Sequence, residues 1–171
     1  MLRISKKADY AVFLLGAIAR AGAFPGGSAS DTVVSAHEIA RQAKLNKSVV
    51  ANLLKEFAKH GLLESVRGLR GGYRLQRPPA AISLAEILEV VEGKFALVDC
   101  VAHTGTTTAP APSKLLGLAP SMRGDQSHDH DCALMSFCPS KAPMRVVHDR
   151  ISQLFATIHL DELCSLPGTR P

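Results

Sequence analysis

At 171 residues the chain fits one domain with an extension, and it is long enough to bury a core. A hydrophobic fraction of 46% excludes global disorder, and no run approaches the roughly 18 apolar residues of a membrane span. The net charge of +5 divides unevenly: residues 1–79 carry 13 Lys/Arg against 5 Asp/Glu, whereas residues 80–171 carry 7 against 10. A basic half beside an acidic half points to a polyanion partner at one end only.

Lys6-Lys7 ahead of the apolar stretch 11–19 imitates a secretory leader, but Asp9 and Arg20 stand inside that pattern. Ser5 instead predicts the cap of a helix from Lys6 to Arg20, with Val12, Leu15, Ile18 and Ala19 at helical spacing. Gly22–Ser30 reads as a loop. Ser35-Ala36-His37-Glu38 is a capping-box pattern opening a short helix over 36–43. Leu45-Asn46 makes a turn, Asn46 or Ser48 caps a second helix to about His60, and Gly61 stops it. Two helices joined by so short a turn form a helix-turn-helix, with the second as recognition helix.

Leu62–Val66 and Tyr73–Leu75 read as strands around a glycine-rich loop at 67–72, which makes a wing. Pro78-Pro79 ends the unit, and Ser83-Leu84-Ala85-Glu86 opens another helix that Gly93 stops. Residues 103–131 lack periodicity and read as a mobile loop. After Pro143 a long helix carries Met144, Val147, Ile151, Leu154 and Ile158 at heptad spacing. The predicted fold is mainly α with a small β wing. It has a winged helix-turn-helix domain at 1–79, a linking helix and cysteine loop at 80–142, and a dimerisation helix with its tail at 143–171.

The outward side chains of this fold suit double-stranded DNA. Lys47, Ser48, Asn52 and Lys55 lie on the recognition helix, and Arg67, Arg70 and Arg74 on the wing. Lysine and arginine supply phosphate contacts, and Asn52 can read an adenine edge. A helix-turn-helix dimer binds a palindromic operator. A winged-helix adaptor without DNA is the competing use of the same fold. No Gly-rich phosphate loop, nucleophile elbow or H-E-x-x-H pattern is present, so an enzyme is not expected.

Cys100, Cys132 and Cys138 form a soft donor set. Such thiolates hold an iron–sulfur cluster, zinc or copper, or act as a redox switch, and they require a reducing compartment, here the cytoplasm. His128 or His130 with the same cysteines would complete a tetrahedral zinc site. Cys164, beside Leu163 and Leu166, reads as a small buried hydrophobe.

The opening Arg3-Ile4-Ser5-Lys6-Lys7-Ala8-Asp9-Tyr10-Ala11-Val12 resembles the Rrf2 family of bacterial regulators. So do Ala36-His37-Glu38-Ile39-Ala40, Gly61-Leu62-Leu63, and Ser65-Val66-Arg67-Gly68 followed by Gly71-Gly72-Tyr73-Arg74-Leu75. The segment Ile82-Ser83-Leu84 with Ile87 and Val91-Glu92-Gly93, and the ending Ile158-His159-Leu160-Asp161-Glu162-Leu163, match as well. The resemblance implies a dimeric winged-helix repressor or activator holding a [2Fe–2S] or [4Fe–4S] cluster on Cys100, Cys132 and Cys138. Such members sense iron–sulfur supply, redox state or nitric oxide. It also implies Asp9 as a carboxylate ligand from the partner subunit, because Lys141 stands where some relatives have a histidine. The chain departs from the family pattern in the 31 residues between Cys100 and Cys132, where a handful is usual.

Overall fold

The computed structural model describes residues 4–29, 31–68, 71–98 and 138–165. The chain divides into two compact units: Met1–Phe95 together with Asp149–Pro171, and Ala96–His148. The first holds the core. Its elements are α1 (Lys6–Arg20), α2 (Ala36–Ala43), α3 (Lys47–Lys59), β1 (Leu63–Val66), β2 (Gly72–Leu75), a 3-10 turn (Pro79–Ala81), α4 (Leu84–Glu92), the end of α5 (Lys141–Thr157), and α6 (Leu160–Ser165).

Local signals account for most of the helix boundaries. Ser5 accepts from the backbone N–H of Lys7 and Ala8, which satisfies orphan donors at the start of α1. The same hydroxyl donates to the carboxylate of Glu92, the last residue of α4. On α4 the Ser83/Glu86 box is reciprocal: Glu86 N–H reaches Ser83 Oγ at 3.3 Å, and Ser83 N–H reaches Glu86 Oε2 at 2.9 Å. On α2 only half of the box forms. Glu38 N–H donates to Ser35 Oγ at 3.1 Å, but the Glu38 carboxylate turns to Arg41 and Gln42. A bidentate guanidinium one turn along is the stronger partner.

The wing is antiparallel, with Leu63 opposite Leu75, Glu64 opposite Arg74, Ser65 opposite Tyr73 and Val66 opposite Gly72. Val34 adds an isolated antiparallel bridge to β2 by exchanging two backbone hydrogen bonds of 2.9 Å with Tyr73. This bridge, absent from the sequence reading, ties the entry to α2 onto the wing. It also explains Gly72: a Cβ there would lie 2.5 Å from the Val34 carbonyl oxygen.

The core is formed by Ala11, Leu14, Leu15 and Ile18 of α1, Ile39 and Ala40 of α2, and Val50, Leu54 and Phe57 of α3. Leu63, Leu75, Ile82 and Ile87 join them. Full burial of each large side chain contributes about 1.5–3 kcal/mol, so truncating the fully buried Phe57 to Ala would cost about 3–5 kcal/mol.

The long helix ends at Thr157, and the last predicted heptad position, Ile158, lies in a sharp connection. There Leu84 N–H donates to Ile158 O at 2.8 Å and Leu160 N–H to Ile82 O at 2.9 Å. This clamp sends Leu160 into the core and lays α6 on α1. The approach is close at Gly16, where a Cβ would sit 3.3 Å from Cys164 Sγ. The α6 turn was not separately predicted, because six residues show too little periodicity.

By contrast, none of the 17 residues of α5 is buried. Met144, Ile151 and Ile158 are half-buried, whereas Val146, Val147 and Leu154 are exposed at 58%, 42% and 54%. Pro143 sits inside the first turn, where a missing N–H costs nothing. Among the described residues no helix is long and apolar enough to cross a membrane.

Candidate nucleic-acid interface and cysteine centre

The helix-turn-helix sorts its side chains sharply. The α2 helix closes with Lys44 in the left-handed region (φ 53°), and Asn46 Oδ1 then accepts Ser48 N–H at 2.8 Å to start α3. Asn46 is therefore the cap. Val50, Leu53, Leu54 and Phe57 face the core, while Lys47, Ser48, Asn52 and Lys55 are all exposed. Lys59 approaches Glu56 at 3.9 Å on the same outer surface. Val49, not singled out in the sequence reading, is 39% exposed in the first turn. On α2, Arg41 first and Gln42 second hold the Glu38 carboxyl down to about 2, so this exposed group stays anionic beside the turn.

On the wing Arg67 is exposed at the end of β1. Arg70 lies outside the described residues. Arg74 is ion-paired: its Nε donates to Glu64 Oε2 at 2.9 Å, and that bond raises the guanidinium pKa, with Asp31 adding to it. Sequence reasoning named Arg74 as a DNA contact and did not pair it with Glu64. The signal was present, because a hairpin pairing Leu63 with Leu75 must set 64 opposite 74.

Of the predicted cluster ligands, Cys100 and Cys132 lie outside the described residues, as do His128, His130 and the predicted mobile loop at 103–131. Cys138 is described: it is half-buried two residues before Ser140, and its carbonyl accepts Lys141 N–H at 3.3 Å at the start of α5. Asp9 is exposed in the first turn of α1, where the helix dipole favours its charge. Among the described residues no group of three or more His, Cys, Asp or Glu side chains is gathered for a metal.

Cys164 belongs to a different environment. Its Sγ contacts the Gly16 carbonyl at 3.9 Å on α1. Burial pushes its thiol pKa up, Arg20 opposes that, and Asp161 adds to it. A half-buried thiol pushed upward in this way is a poor nucleophile.

Helices α1 to α3, a two-stranded wing and a basic outward face on α3 define a winged helix-turn-helix protein. The model of the Rrf2 family, described as an iron-dependent transcriptional regulator, matches residues 4–165, and the chain belongs to that family. It is 32% identical over 99 residues to protein aau3 of Rhizobium meliloti, a match covering 58% of this chain and 59% of the relative. The transcriptional regulator IscR of Cereibacter sphaeroides is 32% identical over 91 residues, with 53% and 56% covered. The chain thus spans less than two thirds of the length of these relatives. Among solved structures, CymR, the global cysteine regulator of B. subtilis, aligns with a TM-score of 0.60 at 21% identity over 96% of this chain and 98% of its own. The IscR of T. potens aligns at 0.58 and 23%, over 95% and 85%. Both share the fold.

Proposed function

We propose that this Rrf2-family regulator is a cytoplasmic homodimer that binds palindromic double-stranded DNA and represses transcription. Its control would come from an iron–sulfur cluster on Cys100, Cys132 and Cys138, with Asp9 of the partner as carboxylate ligand. The observation that carries the DNA reading is the division of α3: four apolar residues inward, and Lys47, Ser48, Asn52 and Lys55 outward. Arg67, exposed just past β1, extends that basic surface onto the wing. Phosphate contacts by these cations supply affinity, and Asn52 supplies base readout.

The donor set fits the cluster. Thiolates are the ligands that hold iron–sulfur clusters, and the Asp9 carboxylate would supply a fourth, harder oxygen donor. A bound cluster supplies a centre that exchanges electrons and reacts with nitric oxide. The chain's part is to hold its ligands. Cys138 precedes α5, and Asp9 stands one turn inside α1, whose start is fixed by Ser5 and, through Ser5, tied to Glu92. Cys100 follows Glu92 by eight residues.

Dimerisation is supported by Val147 and Leu154, two apolar side chains seven residues apart on α5 that stand in water.

Anaerobic reconstitution with iron and sulfide tests the cluster. Wild type and Cys164→Ala should take up colour, and Cys100→Ala, Cys132→Ala and Cys138→Ala should not. Uptake of zinc with no iron or sulfide would favour the site using His128 or His130. Salt-dependent DNA binding by the same preparations tests the DNA reading separately.

A further inference from the structure

We infer that Val49 is a specificity-determining residue that reads the C5-methyl of a thymine in the operator. The inference rests on α3 being the recognition helix and adds to it one base identity. Val49 lies in the first turn of α3, the part of a recognition helix that meets base edges. It is a large apolar side chain, yet 39% of it is exposed. The core does not use it: Val50, Leu54 and Phe57 are fully buried and Leu53 nearly so. Ser48, Ala51 and Asn52 around it are exposed too.

The chemistry at the groove selects the ligand. A valine has no donor or acceptor, so the feature it can recognise is the thymine methyl, the apolar group of the major groove. Its β-branched side chain is held near one rotamer on a helix, so the two methyls are presented rigidly. Asn46 fixes the backbone of this turn by accepting Ser48 N–H at 2.8 Å.

Asn52 stands three residues further on, and i,i+3 side chains on a helix lie about 5–6 Å apart at Cβ. Base pairs are stacked about 3.4 Å apart. The thymine met by Val49 therefore lies within about two base pairs of the adenine offered to Asn52. The two residues together specify an A·T-containing step in each half-site.

The test uses the full chain and a DNA site first obtained by selection from random duplexes. Each thymine is then replaced singly by deoxyuridine, which removes only the methyl. For wild type, one position per half-site should lose binding by about fourfold, the worth of one buried methyl group. For Val49→Ala that same replacement should change nothing, while its thermal unfolding stays at the wild-type temperature because the side chain is outside the core. An unchanged uridine profile in Val49→Ala, or a wild type indifferent to every methyl, overturns the assignment. Failure to select any DNA would instead refute the DNA-binding reading on which it rests.

Discussion

Across the wing, Arg74 Nε donates to Glu64 Oε2 at 2.9 Å, so one of the predicted DNA-contacting cations already has a carboxylate partner. The two residues are directly opposed in the β1–β2 register, and both side chains stay partly in water. Glu64 thereby weakens the positive field of the wing and holds Arg74 along the sheet.

Removing that partner should strengthen DNA binding. Glu64→Gln removes one negative charge from beside Arg74 and so raises the net positive field of the wing. The expected result is tighter binding at low salt and a log–log salt slope steeper by up to about one unit per wing. Arg67→Ala should move both quantities the other way. Fluorescence anisotropy across a salt series checks both. Unchanged affinity and slope in Glu64→Gln would mean that Arg74 does not reach the duplex.

The elements that were legible in the sequence are those with short-range signals. Ser5, Asn46 and Ser83 mark helix starts by hydrogen bonds to residues two or three positions away, so the sequence contains both partners. The outward face of α3 was readable because Lys47, Ser48, Asn52 and Lys55 are polar or charged, and all four are exposed. What escaped depends on distant partners. The Val34–Tyr73 bridge, the Ser5–Glu92 contact and the Ile82–Leu160 clamp join residues separated by 39 to 87 positions, which no local pattern encodes. The α2 capping box failed for a nearer reason: Arg41 competes for Glu38 from one turn away.

The exposed apolar pair on α5 gives a test of assembly that spares the fold. Leu154 is 54% exposed, so Leu154→Asp places a charge in water in the single chain. In a dimer that pairs α5 helices it would bury an unpartnered carboxylate, at a cost of several kcal/mol. Sedimentation should show dimer for wild type and monomer for Leu154→Asp, with the circular dichroism spectrum retained. A dimeric variant would locate the interface away from this face. Ile151 is the less discriminating site, because it is already half-buried within its own chain.

Gly72 should be intolerant of any side chain. An added Cβ would meet Val34 O at 2.5 Å and Val34 C at 2.8 Å, and both atoms are backbone held by the Tyr73 bridge. Gly72→Ala should therefore destabilise the protein by about 1–3 kcal/mol, as overpacking does elsewhere. Thermal unfolding should fall by several degrees, and DNA affinity with it, because the wing must part from Val34. Ser65→Ala, on the exposed face of the neighbouring strand, is the control and should leave the midpoint nearly unchanged.

The acid limb of stability should depend on Glu86. Burial pushes its pKa up, but hydrogen bonds from Ser83 N–H, Arg77 and the Ser83 hydroxyl together outweigh burial and hold it below the ordinary glutamate value. A carboxyl depressed in the folded state binds its proton more readily once unfolded. Its stabilisation is therefore complete above the unfolded value of about 4.3 and is lost as pH falls through the lower folded value. Wild type should thus be more stable than Glu86→Gln near neutrality, and the two unfolding midpoints should converge as pH drops below about 4. Arg77→Ala should show the same convergence with a smaller gap, since the Ser83 bonds survive it. Parallel curves for wild type and Glu86→Gln down to the acid limit would show that this carboxylate does not couple α4 to folding.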